Sequence, residues 1–211
     1  MMVSKTVSSI VDIFITGGNE LDTVTLNSIC GGAFDNNLEI IPDGTVVTLR
    51  RGKITRKVTI RQGEGSECVA NSLRVSRALA RIFRLRNQTR FTFTFNTVTK
   101  TLTMCRKRVT ADTLLLTANS RMLRDRVAIG LGIARKDGNY LRGGELITLR
   151  RGNIRKRLRF VLLTENDVFN NTFSLNPRVI RLLGLEANKR YRITYDQVKR
   201  EYVFIRQVAR S

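Results

Sequence analysis

The pentapeptide Thr48-Leu49-Arg50-Arg51-Gly52 recurs as Thr148-Leu149-Arg150-Arg151-Gly152 one hundred residues later. The residues downstream of the two copies stay in phase. Asn71 matches Asn171, Arg81 matches Arg181, Leu85 matches Leu185, Arg90 matches Arg190, Thr94 matches Thr194, Val98 matches Val198 and Arg106 matches Arg206. No gap is needed from Gly44/Gly144 to Arg106/Arg206. A fixed self-similarity of this kind constrains architecture more than composition does, because each copy has to bury its own apolar face. The chain of 211 residues reads as a tandem duplication of one module of roughly 90 to 100 residues, an ordinary size for a small domain.

Read in order, residues 1–20 form an arm, 21–106 the first module and 107–211 the second. Val7–Thr16 is rich in β-branched residues and stops at Gly17-Gly18, which predicts a strand and a turn. It shows no clear repeat partner and so reads as an addition to the duplicated unit. Two roles are open to it: completing a sheet of its own domain, or pairing with another chain through an open edge. Asp22–Leu26 (DTVTL) resembles Asp112–Leu116 (DTLLL) at an offset of ninety. That alignment predicts about ten extra residues in the second module. They fall around Arg121 to Gly138 as a basic loop containing Arg121, Arg124, Arg126, Arg135 and Lys136.

Each pentapeptide then lies in a predicted hairpin. Thr45–Arg50 and Ile54–Arg61 join at Arg51-Gly52-Lys53; Glu145–Arg150 and Ile154–Phe160 join at Arg151-Gly152-Asn153. The returning strands alternate apolar with basic residues, the period of a half-buried strand with one charged face. A short strand comes next (Glu67–Leu73; Asp167–Phe173), then one helix per module. Ser76 and Asn176 are N-cap candidates, Pro177 suits the first helical position, and Gly184 suits the position past the end. A second hairpin closes each module: Phe91–Phe95 turns at Asn96-Thr97 and returns through Leu102 and Met104, and Tyr191–Tyr195 turns at Asp196-Gln197 and returns through Tyr202 and Phe204. The expected fold is mainly β, with two tandem small β-barrel modules of five or six mostly antiparallel strands, each with one short helix, plus an N-terminal strand arm.

The run Asn176-Pro177-Arg178-Val179-Ile180-Arg181-Leu182-Leu183-Gly184-Leu185, continuing to Ile193, resembles an element of cradle-loop and double-psi β-barrels and of AbrB-type swapped-hairpin transcription factors. In those families a short helix ends in Leu-Gly-Leu and a strand runs back into the barrel. The first module departs from the pattern, with Arg84 in place of Gly184. These families include DNA binders, enzyme subunits and adaptor domains, so the resemblance implies a fold rather than a function.

Charge bears on partners. The formal net charge is +21, and it is unevenly spread. Residues 1–43 carry one lysine against six carboxylates, whereas 44–106 carry 14 Lys/Arg against two glutamates. A positive body points to a polyanion, and nucleic acid is the leading candidate. The chain has no His, which removes the commonest general base and metal ligand. It has no P-loop and no GxGxxG, so no cofactor and no metal is expected. Its three cysteines, Cys30, Cys68 and Cys105, lack CxxC spacing and disulfide parity, which reads as reduced intracellular thiols. No stretch is long enough to span a bilayer as a helix.

Three sets of residues are binding candidates. The first is the hairpin set Arg50, Arg51, Lys53, Arg56, Lys57, Arg150, Arg151, Arg155, Lys156 and Arg157, whose guanidinium groups can grip phosphates bidentately. The competing reading is a solvated basic rim. The second is the helix stripe Arg77, Arg81 and Arg84, equally readable as a solvated face. The third is aromatic, Phe91, Phe93, Phe95, Tyr191 and Tyr195, for which core packing is the simpler reading. The expected function is non-enzymatic nucleic-acid binding, to DNA or RNA, through the duplicated basic hairpins. The alternative is a structural subunit of a coat, filament or ribonucleoprotein that forms a homo-oligomer through residues 7–16. A third is an accessory subunit of double-psi type in an enzyme complex.

Overall fold

A computed structural model describes residues 5–27, 37–63, 71–130, 132–133, 143–163 and 171–208. The chain divides into two compact units, Met1–Lys107 and Arg108–Ser211. Each is a closed barrel of seven strands with a six-residue helix between its fifth and sixth strands. The first contains β1 (Thr6–Thr16), β2 (Thr23–Asn27), a 3-10 turn (Asn37–Ile40), β3 (Val46–Arg51), β4 (Ile54–Gln62), β5 (Ser72–Ser76), α1 (Arg77–Ile82), β6 (Thr89–Asn96) and β7 (Thr101–Arg106). The second contains β8 (Val109–Ala118), β9 (Arg126–Ile129), β10 (Leu146–Arg151), β11 (Ile154–Leu162), β12 (Thr172–Leu175), α2 (Pro177–Leu182), β13 (Lys189–Asp196) and β14 (Glu201–Val208).

Around the first barrel the order is β1-β5-β2-β4-β3-β7-β6. Three neighbour pairs are parallel, β1 with β5, β2 with β4 and β3 with β7; the other four are antiparallel. The second barrel repeats this wiring strand for strand. Alternating apolar residues fill both interiors. Val47, Leu49, Val58 and Ile60 line one, and Ile147, Leu149, Leu158 and Phe160 the other. The aromatic residues belong here too. Phe91, Phe93, Phe95, Tyr191 and Tyr195 are all buried, and Tyr195 stacks on Tyr202 with ring centroids 4.4 Å apart. They are core, not a base-stacking platform.

Three expectations are corrected. First, the arm is not an addition. β1 is bonded to β5 on one edge and to β6 on the other, and β8 holds the same place between β12 and β13. Registers fix the equivalence. Asp12 faces Arg90 as Leu115 faces Arg190, so the two strands are 103 residues apart. Second, residues 7–16 are not a free arm: β6 bonds β1 over Thr6–Ile13 and β5 bonds it over Asp12–Thr16, so the strand completes a sheet of its own domain. Third, the basic stretch after Arg121 is no ten-residue insertion. β9 is the counterpart of β2: Asp22 and Asp125 each accept a 2.6 Å hydrogen bond at the carbonyl, from the backbone N–H of Thr59 and Arg159 respectively. From there to Gly44 and Gly144 the first module is three residues longer. The DTVTL/DTLLL likeness joined two different strands because both carry the same β-branched and apolar pattern. Arg135 and Lys136, with Cys30, Cys68 and the starts of the predicted strands at 67–70 and 167–170, lie outside the described residues.

The helices are placed by their caps. Ser76 Oγ accepts the N–H of Leu79 and donates to the Glu20 carbonyl; Asn176 accepts the N–H of Arg178. Each helix has only six residues and is held by packing rather than by its own hydrogen bonds. Gly184 comes just after α2 at φ +63°, and Arg84 occupies the same left-handed position at φ +51°.

Candidate nucleic-acid interface

Period two sorts the side chains of each hairpin. Since Val47, Leu49, Val58 and Ile60 point inward, Arg50 and Lys57 point outward. Arg50 lies opposite Thr55, and Lys57 opposite Thr48. Gly52 (φ +59°) opens a tight turn that needs a residue without Cβ strain, and it leaves Lys53 at the exposed tip. Arg51 and Arg56 have inward parity but sit beyond the last core layer, at the mouth of the barrel. Arg56 Nε donates to the Leu21 carbonyl at 3.1 Å.

Arg51 turns back over the barrel. Its Nη1 donates to the Phe83 carbonyl and, at 2.7 Å, to the Arg84 carbonyl, and its guanidinium stands 5.2 Å from the Phe91 ring centroid. Those carbonyls are the unpaired acceptors at the C-terminal end of α1, where a cation is favoured. Burial first, and then the charges of Arg106 and Arg84, push its pKa down. Arg151 occupies the same place in the second barrel, its Nη1 lying 3.5 Å from where a Cβ on Gly184 would stand. The second arginine of the first pentapeptide is therefore a structural clamp, and Arg151 stands beside the equivalent helix end.

The first arginine differs between the copies. Arg50 is exposed, and its Nε donates to the Gly52 carbonyl at 3.2 Å. Arg150 is half-buried and faces Arg155 across the ladder. Glu201 approaches both, its Oε1 at 3.6 Å from Arg150 Nε and 3.9 Å from Arg155 Nε. Like charges directly opposite destabilise a sheet, and Glu201 offsets them. Arg157 points outward opposite Thr148. Lys156 pairs with Leu149 in the register of Arg56.

Two more arginines join this outer face, Arg159 from the basic side of the returning strand and Arg126 from a stretch the sequence read as a loop. Arg159 lies next to Arg126 in the parallel pairing of β11 with β9. Arg159 reaches Asp125 at 3.8 Å and donates to the Gly144 carbonyl at 3.3 Å. Reading β9 as a loop hid Arg126. Arg121 and Arg124 precede it in an exposed turn.

The helix stripe Arg77, Arg81 and Arg84 is exposed. No described ion pair ties it to the hairpins. Among the described residues no group of three or more His, Cys, Asp or Glu could hold a metal ion, and no helix is long and apolar enough to cross a membrane. Comparison with family models, curated proteins and solved structures gives no match to this chain. The basic faces are thus interpreted from their geometry and charge.

Proposed function

We propose that this protein is a non-enzymatic nucleic-acid-binding protein whose basic hairpins contact the phosphate backbone. The observation that carries this reading is the outward face of each hairpin. Arg50 and Lys57, with Lys53 at the tip, stand on the first barrel and Arg150, Arg155 and Arg157 on the second, in a chain of net charge +21. Arg51 is set aside as a clamp, and Arg151 with it by its equivalent place beside Gly184. Arginine forks match phosphate geometry, and lysine adds point charge. Such contacts position a backbone and carry no base sequence.

The test is affinity for a short DNA duplex and for an RNA oligonucleotide of equal length, measured across a salt series. Neutralising phosphates releases counterions, so the log–log plot is expected to fall by about 0.9 per contact on a duplex. Binding that ignores salt, or no binding to either probe, would overturn the proposal.

A further inference from the structure

We infer that the two barrels are functionally unequal, and that the outer face of β9, β11 and β10 in the second barrel is the phosphodiester-binding surface. This rests on the nucleic-acid reading above and assigns it to one place.

The registers assemble the face. β11 sets Arg155, Arg157 and Arg159 on one side of a single strand. Arg126 flanks Arg159 from β9, and Arg150 flanks Arg155 from β10. Alternate residues of a strand stand about 6.6 to 6.8 Å apart, so the three central arginines follow one another as a ladder along one face of β11. An extended polyanion can lie along such a ladder and meet one cation after another, with two more in reserve at the ends. Glu201 and Asp125 stand only at those ends, against Arg155 and Arg159. Arg157, in the middle, has no described carboxylate partner.

The first barrel shows that folding does not require these cations. At the five equivalent positions it has Thr23, Arg50, Thr55, Lys57 and Thr59, in the same registers and the same closed barrel. Three arginines of the second barrel therefore replace threonines at the expense of like-charge repulsion. A bound phosphate backbone relieves that repulsion. Among the described residues Glu201 and Asp125 offset it only at the two ends of the row.

The test transplants residues between the copies, so every variant carries a side chain the fold already accepts at that site. Arg126→Thr/Arg155→Thr/Arg159→Thr gives the second barrel the first barrel's face. Lys189→Thr/Arg192→Thr/Lys199→Thr removes the same charge from exposed positions elsewhere on that barrel, again using the first barrel's residues (Thr89, Thr92 and Thr99). Thr23→Arg/Thr55→Arg/Thr59→Arg builds the ladder on the first barrel. With the duplex and RNA probes, the first variant is expected to bind at least about tenfold more weakly, with a salt slope shallower by about 2 to 3. The second is expected to change affinity by less than about threefold, and the third to strengthen binding. Equal losses from the first two variants would overturn the ladder and leave the nucleic-acid reading standing. A wild-type chain that binds neither probe would remove both.

Discussion

Arg90 grips Asp12 with both arms: Nε meets Oδ1 and Nη2 meets Oδ2, each at 2.8 Å, in side chains 0% and 1% exposed. The pair joins β6 to β1 across 78 residues of sequence. Around it Asn71 donates to Ser9 Oγ and to the Ile10 carbonyl, and its own carbonyl accepts the Asp12 N–H. The second barrel has Leu115 at the position of Asp12, and its Arg190 is exposed. Removing one member of a buried pair strands the other charge. Asp12→Ala is expected to destabilise the first barrel by about 3 to 5 kcal/mol in denaturant unfolding, with Asp12→Leu/Arg90→Leu recovering most of the loss. A single-variant cost below about 1 kcal/mol would show that the pair is not needed.

The clamp predicts a division of labour within one dipeptide. Arg51→Ala removes the charged donor from two helix-end carbonyls and is expected to lower stability by about 1.5 to 3 kcal/mol. Arg50→Ala, at an exposed position, is expected to change it by less than about 0.5 kcal/mol. Thermal unfolding of both variants decides the matter; equal effects would contradict the assignment.

Arg84 holds a backbone conformation that Gly184 holds without a Cβ. Arg84→Gly is expected to stabilise the first barrel by about 0.5 to 1 kcal/mol, and Gly184→Ala to destabilise the second by a similar amount. The nearest atom to the new Cβ would be Arg151 Nη1 at an ordinary 3.5 Å, so the effect is conformational rather than steric. Melting temperatures moving in the opposite directions would refute this.

What the sequence disclosed was local. The hairpin, the Ser76 and Asn176 caps and the Gly184 stop each depend on residues a few positions apart, and each is present as expected. What stayed hidden was pairing at a distance. Asp12 breaks the apolar pattern of β1, so nothing nearby shows that its charge will be met by Arg90. The equivalence of β1 with β8 lies in their partners rather than in their residues. The roles of Arg51 and Arg56 were hidden for another reason: alternation gives parity but not where the barrel ends. The face containing Arg126 and Arg159 appears only once β9 is laid against β11.

Asp196 supplies a pH prediction. Burial, the largest influence, raises its pKa. The backbone N–H groups of Lys199 and Val198 and the Arg108 guanidinium at 3.0 Å outweigh it and hold the carboxyl below its ordinary value of 3.8. A depressed pKa contributes stability above the unfolded value and loses it as pH falls through the folded one. Asn96 makes the same two turn hydrogen bonds in the first barrel, so Asp196→Asn should keep the turn and lose the Arg108 pairing. The variant is expected to be less stable than wild type by up to about 1 kcal/mol at neutral pH. The gap should close as pH falls below about 3.8. Melting curves from neutral pH to pH about 2 test this; a gap that widens in acid would reverse the sign.

Placing β1 between β5 and β6 has a consequence for the order of synthesis. As the chain emerges from its N-terminus, Ile10–Ile15 is made long before Thr89–Asn96 exists to cover its second edge. An apolar, β-branched segment waiting for so distant a partner is an aggregation hazard. Asp12 sits in the middle of it as a gatekeeper, carrying a charge that resists stacking with other nascent chains. The arrival of Arg90 neutralises that charge when the barrel closes. One carboxylate thus protects the strand while it is exposed and anchors it once it is buried.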